Sequence, residues 1–163
     1  MNFCIVIVFK NELLIYFWCY ALSEMEKIRI LRQIESFGYR FDDEVKRAFM
    51  IVDRRDFVPK ELKDYAYVDT PLPIGYGQTI SAIHMSLIIC QVLELREGMK
   101  VLEIGTGSGY NAALIAEIVA PTGSSSKGKV FTVERIPELA KFAIENLERA
   151  GYLDRVKVIV GDG

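Results

Sequence analysis

Val101-Leu102-Glu103-Ile104-Gly105-Thr106-Gly107-Ser108-Gly109-Tyr110 is the stretch that decides the fold. A short apolar run ends in a carboxylate, and glycines then occupy every second position. Asn111-Ala112-Ala113-Leu114-Ile115-Ala116-Glu117-Ile118-Val119 follows as a helix-forming run. Strand, glycine turn and helix in that order open a nucleotide-binding βαβ unit. Glycine is needed where the chain reverses tightly and a ligand approaches the backbone with no Cβ in the way. The first N–H groups of the helix are free to face the same turn. A glycine turn in some other α/β protein is the reading that this stretch alone leaves open.

The spacing narrows the choice. The dinucleotide pattern is Gly-x-Gly-x-x-Gly, whereas here the third glycine comes one residue early. Glu-x-Gly-x-Gly-x-Gly resembles motif I of the class I S-adenosylmethionine (SAM) methyltransferases. Downstream, Lys129 to Glu134 reads as a second strand. Pro137 suits the first turn of a helix whose buried face is Leu139, Ala143 and Leu147, closed by Gly151. Val156 to Val160 reads as a third strand of the continuous, doubly buried type, apart from Lys157. Glu134, ending the second strand, can accept from both ribose hydroxyls or can be a solvated strand end. Asp162 can accept from an adenine amino group or can be a turn-forming Asp before Gly163.

Upstream, Tyr65 to Ser81 carries two prolines and two glycines, which exclude a regular helix. It is expected to be a long, irregular, apolar loop, a kind of segment that is often functional. Ser81 stands where a helix N-cap belongs, ahead of the apolar run Ala82 to Leu93. Either it caps that helix or its hydroxyl faces a ligand. His84 is expected to fix the loop or the structure around it rather than to act as a base.

From Met25 a helix is expected with Ile28, Leu31, Ile34 and Phe37 in a partly helical spacing, ended by Gly38. Asp42 or Asp43 caps a second helix bearing Val45, Ala48, Phe49 and Val52 on one face, ended by Phe57-Val58-Pro59. Residues 1–24 do not match the rest. They are rich in Ile, Val, Phe and Tyr but broken by Lys10-Asn11-Glu12, and the apolar piece Leu13 to Leu22 is too short to span a bilayer, which takes ~20 residues. They read as an upstream extension that adds nothing to the fold, with a membrane anchor as the lesser reading.

The chain has 163 residues, a net charge of −2 and 51% hydrophobic content, which suits one core-forming domain and excludes a disordered one. No basic excess advertises nucleic acid. The three cysteines, Cys4, Cys19 and Cys90, have no metal-ligand spacing, and His84 is the single histidine, so no metal site is expected. Reduced cysteines agree with a cytoplasmic location.

Taken in order, Pro-Leu-Pro-Ile-Gly-Tyr-Gly-Gln-Thr-Ile-Ser-Ala-x-His-Met, then Val-Leu-Glu-Ile-Gly-Thr-Gly-Ser-Gly-Tyr-Asn-Ala-Ala, then Val-Glu-Arg-Ile-Pro-Glu-Leu, then Gly-Asp-Gly resembles the protein-L-isoaspartate O-methyltransferases from about Met25 to Gly163. The Gly-Gln-Thr-Ile-Ser segment is the part most particular to that family. The resemblance implies an α/β fold, the N-terminal half of a Rossmann-like doubly wound sheet with small N-terminal helices. Residues 25–96 would form the helical cap, substrate loop and leading helix, and 97–163 the SAM-binding βαβαβ.

It further implies SAM as cofactor and methylation of the α-carboxylate of L-isoaspartyl residues in damaged proteins and peptides, which begins their repair to aspartate. Ser81 would orient the reacting carboxylate, helped by the helix N-terminus behind it. Gln78, Thr79, Ile80 and Ser81 would lie against the methionine end of SAM, with Glu103 and the turn Gly105, Thr106, Gly107, Ser108 and Gly109 beneath. Glu134, Arg135, Asp162 and Gly163 complete the expected cofactor contacts. No nucleic-acid or membrane partner is implied.

This sequence departs from the family in three places. Ile83 stands where the family has proline. Pro121 to Lys129 is a longer polar connection, expected to be a mobile surface loop. The family continues beyond Gly-Asp-Gly, so the domain is expected to be incomplete and its first strand to lack a neighbour on one side. The rival readings are a non-catalytic SAM-binding fragment, a methyltransferase with another substrate such as RNA, and a nicotinamide-dependent oxidoreductase.

Overall fold

The protein is described here by a computed structural model covering residues 24–163. The expected N-terminal extension, with Cys4 and Cys19, lies outside the described residues but for Glu24. Helix α1 (24–36) buries Ile30 and Ile34, with Lys27 one turn earlier. The expected stripe is therefore corrected: Ile28 and Phe37 are 39% and 73% exposed. The spacing Lys27, Ile30, Leu31, Ile34 prevails because a lysine stem can pack as a hydrophobe while its head finds polar partners. Here the ammonium donates to the Met50 carbonyl at 2.7 Å and lies over the Tyr67 ring. Gly38, at φ +96°, closes the helix with its N–H on the Glu35 carbonyl.

Helix α2 (Asp43–Ile51) buries Val45, Ala48 and Phe49, and Val52 follows them into the core. Asp42 holds the N-cap position but its side chain caps nothing; its N–H donates to Gln91 Oε1 at 2.7 Å. The helix stops at Ile51, and the chain continues as two 3₁₀ turns, Arg54–Phe57 and Lys60–Tyr65.

The expected irregular loop contains a β-hairpin. Strands β1 (Leu72–Gly75) and β2 (Gln78–Ile80) pair antiparallel across Tyr76 and Gly77. Both turn residues have positive φ (53° and 70°), the backbone of a two-residue type I′ turn. β1 alternates buried Leu72 and Ile74 with exposed Pro73 and Gly75, but a proline and a glycine at those positions read as loop in the sequence. A register shift between Pro73 and Gly75 absorbs the proline. Helix α3 (Ile83–Val92) follows.

The rest is the βαβαβ unit: β3 (Lys100–Ile104), α4 (Tyr110–Val119), β4 (Lys129–Glu134), α5 (Pro137–Arg149) and β5 (Val156–Val160). The strands are parallel in the order β3-β4-β5, with Val101 opposite Val130 and Val130 opposite Val156. Moving one way across the sheet by right-handed crossovers puts α4 and α5 on the same face. That face is buried at Val130, Thr132 and Val156. The opposite face shows Leu102 (64% exposed) and Ile104 (60%) to solvent. Among the described residues β3 has no neighbour beyond β4.

Helix α4 is apolar nearly all round and is buried between α2 and the sheet. Its one acidic residue, Glu117, is fully buried and fully engaged. Its carboxylate accepts from Arg47 of α2, from Thr122 N–H and Oγ1, and from the Tyr152 hydroxyl, with Arg155 at 3.5 Å. The connection after α4 is thus tied down rather than loose. Ser126 Oγ also donates to the Val119 carbonyl, and a Cβ on Gly128 would lie 2.1 Å from that same oxygen. Among the described residues no helix is long and apolar enough to cross a membrane.

Candidate functional site

The C-terminal ends of β3, β4 and β5 converge on the glycine turn, the edge at which open α/β sheets bind ligands. Gly105, Gly107 and Gly109 all have positive φ (90°, 56° and 89°), which L side chains rarely adopt. A Cβ at Gly109 would also meet Leu147 Cγ at 3.1 Å, so the last glycine lets α4 and α5 close on each other. Thr106 and Ser108 are buried within the turn, and the Ser108 carbonyl accepts from Asn146 Nδ2.

Glu134 ends β4 directly beside this turn. One carboxylate oxygen accepts from Gly107 N–H at 2.9 Å and the other from Ile136 N–H at 3.1 Å. Each oxygen keeps a second lone pair, so the group is oriented by backbone and still able to accept from a diol. It faces a cavity of about 300 Å³ lined by Gln78, Thr79, Gly105, Gly107, Glu134, Arg135, Asp162 and Gly163, among others. The hairpin edge thus forms one wall of this cavity and the end of β5 another.

A second cavity, about 400 Å³, opens along the free side of β3 and is lined by Ser81, Glu103, Asn111 and neighbouring apolar residues of α3 and α4. The two cavities share Ile104 and Gly105. The residues expected to form one row from Gln78 to Ser81 are therefore divided. Gln78 and Thr79 face the Glu134 cavity, Ser81 faces the Glu103 cavity, and Ile80 is buried in the core at 4% exposure.

Glu103 keeps an opening to the second cavity, but its carboxyl is densely surrounded. Burial pushes its pKa up to about 7, a bond from Thr132 lowers it, and the Glu134 charge raises it. Thr132 Oγ1 donates to Glu103 at 2.6 Å and is 2.7 Å from Thr106 Oγ1. Thr132 is a site residue that the motif reading misses. Its signal was present, because it is a hydroxyl at the centre of β4 on the same face as Val130 and Glu134.

Ser81 does not cap α3. The N-cap residue is Ala82, and no side chain adjacent in sequence does the capping. The acceptor comes from Asp69, whose Oδ1 takes the His84 N–H at 3.0 Å. The His84 ring Nδ1 lies 2.9 Å from Asp69 Oδ2. The expected attraction of a substrate anion to this helix end is corrected accordingly, since the helix end already holds the Asp69 carboxylate. Among the described residues the Ser81 hydroxyl has no hydrogen-bond partner, and no Cys, His, Asp or Glu cluster suits a metal.

Residues 25–163 match the sequence profile of the family described as "Protein-L-isoaspartate(D-aspartate) O-methyltransferase (PCMT)". The chain belongs to that family. A protein-L-isoaspartate O-methyltransferase from Staphylothermus marinus is 55% identical over 140 residues, covering 86% of this chain and 62% of the relative. One from Hyperthermus butylicus is 57% identical over 137 residues, covering 83% and 57%. The chain thus spans about three fifths of the length of the curated relatives it matches.

Among solved structures, a protein-L-isoaspartate O-methyltransferase superposes with a TM-score of 0.70 at 30% identity, covering 84% of this chain and 42% of that one. A Plasmodium falciparum structure of the same description, in complex with S-adenosyl-L-homocysteine, gives 0.69 at 30% identity, covering 82% and 62%. The α/β methyltransferase fold follows from these superpositions and from the parallel three-stranded half-sheet.

Proposed function

We propose that the chain binds SAM at the joined cavities and carries the donor half of an enzyme that methylates the α-carboxylate of L-isoaspartyl residues in damaged proteins. The observation that carries this reading is Glu134, held by two backbone N–H groups beside the glycine turn with both oxygens still able to accept. The S-adenosyl-L-homocysteine complex of the Plasmodium falciparum relative supports it.

The donor set fits the cofactor. Glu134 suits the ribose hydroxyls, and Asp162 at the end of β5 suits an adenine amino group. The turn at Gly105 and Gly107 leaves room for backbone approach, and Glu103 offers a carboxylate toward a cationic amino group. When bound, SAM supplies a strongly activated methyl group. The acceptor carboxylate has an ordinary pKa of about 3.5 and is an anion at neutral pH, so no side chain need remove a proton. What remains is alignment. Ser81, whose hydroxyl is spared from helix capping, donates to one oxygen of the acceptor and turns the other toward the methyl carbon. Isoaspartyl proteins and peptides as partners, and cytoplasmic residence, belong to the same proposal. The free, buried Cys90 agrees with a reducing compartment.

A second reading is favoured by one feature. Ser81 lies on a cavity open along the side of β3 that has no strand partner among the described residues, so this chain can bind SAM without turning over. Calorimetry with SAM and with NAD, followed by methyl transfer to an isoaspartyl peptide, tests both readings. SAM binding with turnover supports the enzyme, and SAM binding without turnover supports the second reading. Binding of NAD in preference to SAM would overturn both.

A further inference from the structure

The hairpin that walls the Glu134 cavity has a pinned base. Asp69 stands just before β1 and His84 just after the start of α3, so a contact between them closes the whole segment from Thr70 to Ile83 into a loop. That contact is threefold: Asp69 Oδ1 takes the His84 N–H at 3.0 Å, and the ring Nδ1 lies 3.0 and 2.9 Å from the two carboxylate oxygens. Asp69 and His84 are partly buried, with side-chain exposures of 16% and 32%, and the Tyr39 ring stacks on the imidazole.

The same base is held from below. Arg54 is fully buried, donates to the Thr70 carbonyl through Nη2, and lies 5.2 Å over the ring of Tyr110, the residue after Gly109. Both ties therefore meet the hairpin just before β1: Asp69 joins it to α3, and Thr70, through Arg54, to the first residue of α4 beside the glycine turn.

We propose that Asp69 is a positioning residue, acting through His84, that sets where Gln78, Thr79 and Ser81 stand over the cofactor turn. This rests on the reading of the cavity as a SAM site. A helix cap alone would need only the N–H bond, and a residue at position 81 or 82 could make it. The acceptor comes instead from fifteen residues upstream. It reaches across both oxygens to the imidazole and leaves the Ser81 hydroxyl uncommitted. A hairpin closed at its base loses fewer conformations when a ligand settles against its edge. The clamp therefore acts on ligand affinity as well as on stability.

The test uses the full chain and SAM itself, with affinity measured by calorimetry well below the melting temperature of every variant. Asp69→Ala is expected to weaken SAM binding about tenfold, the worth of one charge-assisted hydrogen bond. Asp69→Asn, which keeps the acceptor for the N–H, should weaken it less. His84→Ala should fall between the two, and the double variant should bind no worse than Asp69→Ala, because both changes open the same clamp. Ile34→Ala, a cavity in α1 away from the hairpin, should lower the melting temperature and leave SAM affinity unchanged.

Should Asp69→Ala not fold, the Asn variant and His84→Ala still decide the matter. Affinity within twofold of the parent in both, or an equal loss in Ile34→Ala, would overturn the clamp while leaving the cofactor site standing. A parent chain that binds no SAM would overturn the cofactor reading first, and the clamp with it.

Discussion

Replacing Glu103 by glutamine should make the protein more stable, and only above a definite pH. The carboxyl's ordinary value is 4.5, and burial pushes it up to about 7. Between those values the folded state holds a proton that the unfolded chain has released, so stability falls as pH rises across that window. Above pH 7 the folded protein bears the cost of a buried anion in full, roughly 3 kcal/mol at ~1.4 kcal/mol per tenfold. Glutamine keeps an acceptor for Thr132 Oγ1 and has nothing to ionise. Parent and Glu103→Gln should therefore unfold almost together in urea at pH 4.5 and separate progressively by pH 8. At ~2–4 °C per kcal/mol for a chain of this size, the thermal gap at pH 8 reaches roughly 6–12 °C. The same substitution should weaken SAM binding at pH 8, where the parent's carboxylate is ionised and can meet a cationic amino group. Melting curves offset by a constant amount at every pH would refute the reasoning, because they would mean that Glu103 titrates alike in both states.

Glu134→Ala should weaken SAM binding by ~1–3 kcal/mol, and unchanged calorimetric affinity would remove this carboxylate from the site. In a chain that turns over an isoaspartyl peptide, Ser81→Ala should lower kcat/KM by up to ~2–4 kcal/mol with little change in melting temperature, since Ser81 caps no helix. A destabilised variant with intact turnover would contradict that role. Gly109→Ala combines a left-handed backbone with a 3.1 Å approach to Leu147 and should cost roughly 2–4 kcal/mol. Gly107→Ala, whose Cβ would meet Ile74 at an ordinary 3.5 Å, should cost less in a denaturant series.

The central unit was legible because its signals are local. The run from Val101 to Val119 states strand, turn and helix in sequence, and Leu139, Ala143 and Leu147 repeat at helical spacing and are all buried. Glu134 was legible for the same reason, as a carboxylate at a strand end. The hairpin was not, because its strands are only four and three residues long, and Pro73, Gly75 and Gly77 read as breakers. In α1 a lysine took a core position, and apolar counting cannot anticipate that. Asp69 had no signal at all, since the helix it caps begins far along the chain. Thr132 lay between two readable positions, and its meaning depended on knowing which face of β4 is buried.

Glu117 has a consequence for how this protein opens. Its one carboxylate gathers donors from α2, from the connection after α4, and from Tyr152 and Arg155 at the threshold of β5. If any one of these segments lifts away, donors and a charge are stranded in a place water does not reach, at a cost that grows with each partner lost. Fluctuations that peel off the helical cap alone are therefore disfavoured. In hydrogen exchange, the amides of α2, α4 and β5 should open together as a single cooperative unit.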